Sequence, residues 1–222
     1  MTVTLTGPEA MPLSGGPARQ LVVLLHGVGA NGDDLAALVP YVAPALPDAA
    51  FVAPDAPFPY DMAPFGRQWF SLADRSVAAL AAGVRAVAPV VDAYVDQQLA
   101  RFGLTDGQLA VVGFSQGTMT ALHVVPRRAK AAAAVVGFSG AVVAPETLAD
   151  ELHSRPRVLL IHGDEDEVVN PACLAHAEQS LSAVGIPVLA ESRPGLGHSI
   201  DGPGLALAVA FLRQAFGLEG DG

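Results

Sequence analysis

Short apolar runs recur along this chain, and they are continuous rather than alternating with polar residues. Continuous runs of valine, leucine and alanine are typical of strands that are buried on both faces of a parallel sheet. Segments with apolar residues at helical spacing lie between these runs. The runs predict strands over Gln20–Leu25, Ala50–Ala53, Leu109–Val112, Ala133–Phe138, Arg157–Ile161 and Pro187–Ser192.

The alternation of strand and helix predicts an α/β protein with a doubly wound, mostly parallel sheet flanked by helices. Pro89 lies inside the longest predicted helix and should kink or divide it. The predicted helices are Asp33–Val42, Ser76–Phe102, Gln116–Val125, Glu146–His153, Pro171–Val184 and Pro203–Phe216.

The chain of 222 residues shows no internal repeat and no interdomain linker, so we expect a single domain over residues 1–222. Within it, residues 1–20 should form a short strand, Thr2 to Thr6, and a turn rich in proline and glycine. Residues 217–222 should form a flexible tail. A domain of this size leaves little room for a large cap domain over the sheet edge.

The pentapeptide Gly113-Phe114-Ser115-Gln116-Gly117 joins a predicted strand to a predicted helix. A strand, Gly-x-Ser-x-Gly and a helix form the nucleophile elbow of serine hydrolases. Glycines are required there because a side chain at either flank would clash with the strand or the helix. The pentapeptide alone would also fit a glycine-rich turn with a capping serine, so its context decides between the two interpretations.

The other residues with candidate chemistry also follow predicted strands, and such loops converge on one edge of a parallel sheet. A nucleophilic serine needs a base, and the base needs an orienting carboxylate. Ser115, Asp166 and His198 occur in the chain order that α/β-hydrolases use. We favour Asp166 over Asp164, which should lie in a tight turn and bond to backbone. Asp201 is too close to His198 in sequence.

A tetrahedral intermediate needs two N–H donors for its oxyanion. The Gln116 N–H, at the start of a helix, should supply one, and the Val28 N–H is the best candidate for the other. His26 and His162 each begin a His-Gly turn, and we expect them to hold their loops through hydrogen bonds.

The loop around Val28 permits a second interpretation. Gly27-Val28-Gly29-Ala30-Asn31-Gly32 matches the G-x-G-x-x-G pattern of dinucleotide-binding loops. Asp33 and Asp34 weaken this alternative because two negative charges would face the pyrophosphate. We therefore expect no cofactor, and the spacing of His, Asp and Glu predicts no metal site.

Composition limits the partners and the compartment. The net charge is −10 and no strongly basic stretch occurs, which argues against nucleic acid and anionic bilayers as partners. Cys173 is the only cysteine, so no disulfide can form within the chain, as is typical of a reducing compartment. With no recognisable signal peptide, the expectation is a cytoplasmic protein without integral membrane association.

Several segments together resemble the carboxylesterase/phospholipase family of the α/β-hydrolase superfamily, which includes the acyl-protein thioesterases. The likeness runs from about Leu21 to Phe216. One departure is Asn170-Pro171, where the family usually has proline directly after the paired valines. The matching segments are Leu24-Leu25-His26-Gly27-Val28-Gly29-Ala30-Asn31-Gly32-Asp33-Asp34-Leu35, Pro54-Asp55-Ala56-Pro57, Arg67-Gln68-Trp69-Phe70, Gly113-Phe114-Ser115-Gln116-Gly117, Phe138-Ser139-Gly140, His162-Gly163-Asp164-Glu165-Asp166 and Gly197-His198.

The resemblance implies an α/β-hydrolase fold without a large cap, a Ser115, Asp166 and His198 triad, and an oxyanion hole of the Val28 and Gln116 amides. It implies hydrolysis of carboxylic esters, and the family also contains thioesterases and lysophospholipases. Relatives are monomers or homodimers. The chain looks more like a bacterial carboxylesterase for short to medium acyl or aryl esters.

The segment from Pro57 to Phe70 concentrates aromatic residues and methionine near the candidate site. Such a loop could form an apolar acyl or aryl pocket, and we place Phe65, Trp69 and Met119 in it. The alternative is that these aromatic side chains cover the edge of the core. A non-catalytic binding module with the same fold is the remaining alternative, and the complete triad argues against it.

Overall fold

The computed structural model describes residues 4–218 and contains a central seven-stranded sheet. The order of strands across the sheet is β1-β3-β2-β6-β7-β8-β9, and a separate two-stranded hairpin pairs β4 with β5. The strands are β1 Glu9–Ala10, β2 Gln20–Leu25, β3 Ala49–Val52, β4 Phe58–Pro59, β5 Arg67–Gln68, β6 Leu109–Phe114, β7 Ala134–Phe138, β8 Arg157–Gly163 and β9 Val188–Arg193.

All neighbouring strands of the central sheet are parallel except β1, which pairs antiparallel with β3 at the edge. Helices cover both faces, so the central strands are buried on both sides, as their continuous apolar runs predict. The helices are α1 Gly32–Ala36, α2 Val39–Val42, α3 Val77–Phe102, α4 Gln116–Val124, α5 Leu148–Glu151, α6 Ala172–Ala183 and α7 Gly202–Ala215.

The sheet separates two apolar cores. Leu21, Val23 and Leu25 of β2 face a core shared with α3, α4, α5 and α6. Val22 and Leu24 face the opposite core, which is shared with α1, α2 and α7. Successive side chains of a strand point to opposite faces, so one continuous apolar run supplies both cores. The fold is therefore the doubly wound, mostly parallel sheet flanked by helices that the sequence predicts.

The helix predicted over Asp33–Val42 is divided into α1 and α2. Pro40 explains the division, since it has no N–H to donate to the carbonyl of Ala36 and its ring disfavours a continuous helix. By contrast, Pro89 does not divide α3, which runs without interruption from its Ser76 cap to Gly103.

The structure also differs from the predictions near the N-terminus and between β3 and α3. Residues 4–6 of the strand predicted over Thr2 to Thr6 are not in a strand, and the edge strand lies further on at Glu9–Ala10; residues 2 and 3 of the predicted strand lie outside the described residues. The hairpin of β4 and β5 was not predicted. Of the predicted tail, residues 219–222 also lie outside the described part of the chain.

Helix α3 is long and apolar enough to span a membrane by length and composition, with a mean hydropathy of 1.5 in its most apolar window. In the fold, one side of this helix packs into the core, including Val84, Val87 and Val91. The core helix of a protein that never enters a membrane passes the same test.

Candidate active site

Ser115 lies in a sharp turn between β6 and α4. Its backbone has φ 52° and ψ −115°, a conformation that costs a non-glycine residue energy and that occurs mainly at functional sites. Its N–H donates to the carbonyl of Phe138 at 2.9 Å, which holds the turn against the end of β7. The local geometry is that of a nucleophile elbow.

The glycines of the elbow are explained by close backbone packing. A Cβ on Gly117 would collide with the carbonyl of Leu25 at the end of β2. A Cβ on Gly113 would collide with the backbone where α4 begins, at Gly117 and Thr118. The first turn of α4 therefore packs directly on β2 and β6, and Ser115 is only 5% exposed.

Asp166 lies in the loop after β8 and receives hydrogen bonds on both carboxylate oxygens. The amides of Val168 and Val169 each donate to Oδ1 at 2.9 Å. Oδ2 lies 2.7 Å from Nδ1 of His198. Burial raises the pKa of Asp166, but the bonds from His198 and the two amides outweigh it and leave the pKa below its ordinary value. Asp166 is therefore an ionised partner for the imidazole.

The two rival aspartates have other roles. Asp164 is exposed, and its Oδ1 accepts a hydrogen bond from the Gly195 N–H at 2.7 Å. Asp201 caps α7 by accepting from the Gly204 N–H at 2.8 Å, and it also pairs with Arg193. Neither carboxylate contacts His198, so the geometry favours Asp166 as the partner of the base.

His198 lies in the loop after β9, which packs closely on the Asp166 loop. The Glu165 N–H donates to the Leu196 carbonyl at 3.0 Å. A Cβ on Gly163 would collide with the carbonyls of Leu196 and Gly197, so a glycine is required where these two loops meet. The backbone of one loop thus fixes the position of the other.

The imidazole of His198 reaches the elbow. Its ring packs against that of Phe114, the residue before Ser115, with ring centroids 4.8 Å apart. No hydrogen bond joins the Ser115 hydroxyl to His198 within residues 4–218. Catalytic hydrogen bonds are often long until substrate binds, and the serine hydroxyl is free to rotate.

The proposed oxyanion donors lie on two adjacent loops. Gly27, before Val28, packs so closely on the elbow that a Cβ there would lie 3.4 Å from the Ser115 Cβ. Neither the Val28 N–H nor the Gln116 N–H has a hydrogen-bond partner in the described chain. Gly29 follows with φ +82°, a left-handed conformation that favours glycine. The two amides are therefore free to donate to a ligand.

The dinucleotide interpretation of this loop conflicts with the structure around α1. This helix has five residues, with Asp33 and Asp34 in its first turn. The Gly32 N–H, which a phosphate would need, already donates to the carboxylate of Asp55 at 2.8 Å. A pyrophosphate would meet three carboxylates at this helix end.

His26 and His162 hold loops, as the sequence predicts. Nε2 of His26 accepts from the Ala56 N–H at 3.0 Å, so Nδ1 carries the proton toward the Gly27 carbonyl at 2.7 Å. Burial lowers the pKa of His26 and keeps it neutral. Nε2 of His162 lies 3.0 Å from the Val169 carbonyl and 3.1 Å from Oδ2 of Asp166. Because both oxygen atoms can only accept a hydrogen bond, Nε2 of His162 carries a proton.

The three predicted pocket residues are in different environments. Phe65 is 74% exposed, and Met119 is half-buried against the core. Trp69 is fully buried and its Nε1–H donates to the His26 carbonyl at 2.8 Å. The prediction that Trp69 lines a substrate pocket is thus wrong, because the ring supports the Val28 loop from inside the core.

Sequence reasoning missed two side chains near the site. The buried amide of Gln116 bonds to the backbone of Trp69 and Phe70, and Arg67 donates to the carbonyls of Ala56 and Pro57. Their sequence signal is membership of the matching segments Arg67-Gln68-Trp69-Phe70 and Gly113-Phe114-Ser115-Gln116-Gly117, which does not indicate these side-chain contacts. The departure at Asn170 is local, since its side chain accepts from the Ala172 N–H at 2.9 Å.

No group of three or more His, Cys, Asp and Glu side chains in residues 4–218 is arranged to hold a metal ion. The site instead combines a strained serine turn at the edge of the sheet, a histidine bonded to an ionised carboxylate, and two backbone amides without a hydrogen-bond partner in the described chain. A doubly wound sheet with this arrangement at its carboxyl edge defines an α/β-hydrolase.

Comparison with known proteins agrees with this class. The sequence model described as "Phospholipase/Carboxylesterase" matches residues 9–216, so the chain belongs to the phospholipase/carboxylesterase family. It is 32% identical to Esterase YpfH of Escherichia coli (strain K12) over 198 residues, which cover 89% of this chain and 83% of that protein. The chain is a carboxylic ester hydrolase.

Two solved structures are also similar. The crystal structure of esterase PE8 has a TM-score of 0.92 and 42% identity, covering 96% of this chain and 100% of that one. Acyl-protein thioesterase 2 of Zea mays has a TM-score of 0.78 and 26% identity, covering 94% and 98%. The likeness extends over nearly the whole chain.

Proposed function

We propose that this protein is a serine carboxylesterase in which Ser115 is the nucleophile, His198 the base and Asp166 the acid. The observation that carries the proposal is the 2.7 Å contact between His198 and Asp166 beside the strained turn of Ser115. A carboxylate with a lowered pKa stays ionised at neutral pH and stabilises the imidazolium that forms during the reaction.

The reaction follows from these positions. His198 takes the proton of the Ser115 hydroxyl as the oxygen attacks the ester carbonyl, and the Val28 and Gln116 amides donate to the oxyanion. The alcohol leaves with the proton from His198. A water molecule, deprotonated by the same imidazole, then hydrolyses the acyl-enzyme and frees Ser115.

The hairpin of β4 and β5 supports an apolar acyl or aryl substrate. It lies against the Val28 loop, since Gly66 and Tyr60 both contact Gly29. Met62 and Phe65 are 68% and 74% exposed, an unusual exposure for large apolar side chains. We therefore propose esters of short to medium acyl or aryl groups as substrates, with Phe65 and Met119 in contact with the acyl chain.

The experiment is active-site labelling combined with turnover. A fluorophosphonate probe should label wild type, and Ser115→Ala should lose both labelling and at least about 10⁴-fold in kcat/KM. Because Ser115→Ala removes one oxygen atom, the variant should keep its thermal unfolding temperature. Persistent turnover in folded Ser115→Ala would overturn the proposal.

Acyl-protein thioesterase or lysophospholipase activity is the second candidate. The similarity to a plant acyl-protein thioesterase at 26% identity favours it. A series of esters and thioesters of graded chain length separates the two. A steep rise in kcat/KM toward long acyl chains would favour the second candidate, and a maximum at short to medium chains the first.

We also infer a cytoplasmic location and a monomer or homodimer. The single cysteine, Cys173, supports a reducing compartment because no disulfide can form within the chain. Fractionation of cells and light scattering of the purified protein test the two statements separately.

A further inference from the structure

Residues 67–70, here called the bridging segment, contact both loops that carry the proposed oxyanion donors. On one side the segment pairs with the loop of Val28. The Gly29 N–H donates to the Arg67 carbonyl, and the Arg67 N–H donates to the Ala30 carbonyl, both at 2.8 Å. The backbone just after Val28 is thus held by two hydrogen bonds to one residue.

On the other side the segment binds the side chain of Gln116. Its Oε1 accepts from the Trp69 N–H at 2.8 Å, and its Nε2 donates to the Phe70 carbonyl at 2.7 Å. Gln116, Trp69 and Phe70 are all fully or almost fully buried. Two short buried bonds of opposite direction fix the amide plane, and with it the backbone of Gln116 at the start of α4.

The indole of Trp69 adds a third connection. Its Nε1–H donates to the His26 carbonyl at 2.8 Å, and the rings of Trp69 and His26 pack with centroids 5.4 Å apart. His26 in turn bonds to the Gly27 carbonyl. The backbone on both sides of Val28 is therefore tied to the bridging segment.

An oxyanion hole works only if its donors converge on one oxygen atom, within about 2.7–3.1 Å. The Val28 and Gln116 amides follow β2 and β6, which are adjacent in the sheet but end in different loops. The position of one donor relative to the other must be set by contacts beyond the strands. The bridging segment makes such contacts to both loops.

We propose that the side chains of Gln116 and Trp69 are positioning residues that set the geometry of the oxyanion hole. This inference rests on the proposed function, in which the Val28 and Gln116 amides bind the oxyanion. The side chain of Gln116 does not touch the substrate; it acts through the backbone of residues 67–70.

The test is Gln116→Met, which keeps the backbone N–H and the side-chain length but removes both hydrogen bonds. Donors that act only in the transition state affect kcat rather than KM. We expect kcat to fall about 10- to 100-fold, a part of the effect of losing one donor, with KM changed less than about threefold. Affinity for a trifluoromethyl ketone, which forms the oxyanion, should fall by the same factor as kcat/KM.

Trp69→Phe is the second variant, because it removes the bond from Nε1 to His26 and keeps an aromatic ring, although a smaller one, in the buried position. It should lower kcat less than Gln116→Met, again without a change in KM. Rates are expressed per fluorophosphonate-labelled site, so unfolded protein does not contribute.

Gln20→Met is the matched control. Gln20 is also a buried glutamine, but it lies at the start of β2, far along the strand from the loop, and its Oε1 has no partner in the described residues. Its kcat should stay within about twofold of wild type, as is usual for changes away from the site.

The outcomes separate the two proposals. If folded Ser115→Ala hydrolyses esters at the rate of wild type, the proposed function fails. If wild type depends on Ser115 but Gln116→Met keeps the kcat and the ketone affinity of wild type per labelled site, the positioning role is wrong while the proposed function stands.

Discussion

The acid–base side and the oxyanion side of the candidate site are built differently. Asp166 and His198 lie on loops after β8 and β9, which are neighbours both in the chain and in the sheet. Val28 lies on the loop after β2 and Gln116 is the first residue of α4; the two are distant in the chain, and residues 67–70 connect them. In the proposed mechanism, the first side acts through side-chain atoms, whereas the second acts through backbone amides.

This difference predicts opposite responses to substitution. A side-chain atom is removed by changing the residue, so the acid–base side should be sensitive to conservative substitutions. A backbone amide survives most substitutions at its own position and depends on the groups that hold it. On the oxyanion side, loss of a supporting hydrogen bond should therefore cost more than a change of the Val28 side chain that keeps its N–H.

The largest effect is expected for Asp166→Asn. The amide cannot stabilise an imidazolium, and it favours the wrong tautomer of His198, so kcat/KM should fall about 10⁴-fold. Asp164→Asn is the matched comparison on the same loop, and it should cost less than about tenfold because it loses only part of a backbone hydrogen bond. Ester hydrolysis at neutral pH measures both; the reverse ranking would transfer the acid role to Asp164.

An intermediate effect is expected for Val28→Pro, which removes the proposed donor. Loss of one oxyanion donor costs about 10²- to 10³-fold in kcat. Val28→Ala keeps the N–H, and since the side chain is only half-buried, kcat should stay within about threefold of wild type. Equal losses in the two variants would show that the side chain of Val28, rather than its amide, is what matters.

The smallest effect is on stability in acid. The pKa of Asp166 is lower in the folded chain than its ordinary value of 3.8, so its contribution to folding is present above pH 3.8 and is lost as pH falls through the folded pKa. Asp166→Asn should therefore lose less stability than wild type between about pH 5 and pH 2. Urea unfolding across that range measures the free energy of unfolding of both proteins. An equal loss in wild type and Asp166→Asn would contradict the prediction.

Most of the central sheet could be predicted from the sequence because burial on both faces leaves continuous apolar runs. The strand predicted over Gln20–Leu25 has those bounds in the structure, and the others differ by a few residues at their ends. The edge strand β1 and the hairpin strands β4 and β5 have two residues each, too short to leave a periodic signal.

The sequence alone predicted the serine-hydrolase chemistry that we propose, because the elbow glycines, the serine and the order of Ser115, Asp166 and His198 are local or ordered features of the chain. The folded structure decided which aspartate meets His198, that Trp69 points into the core, and that residues 67–70 join both donor loops. These outcomes depend on side-chain direction and on distances between residues far apart in the chain, and neither follows from periodicity.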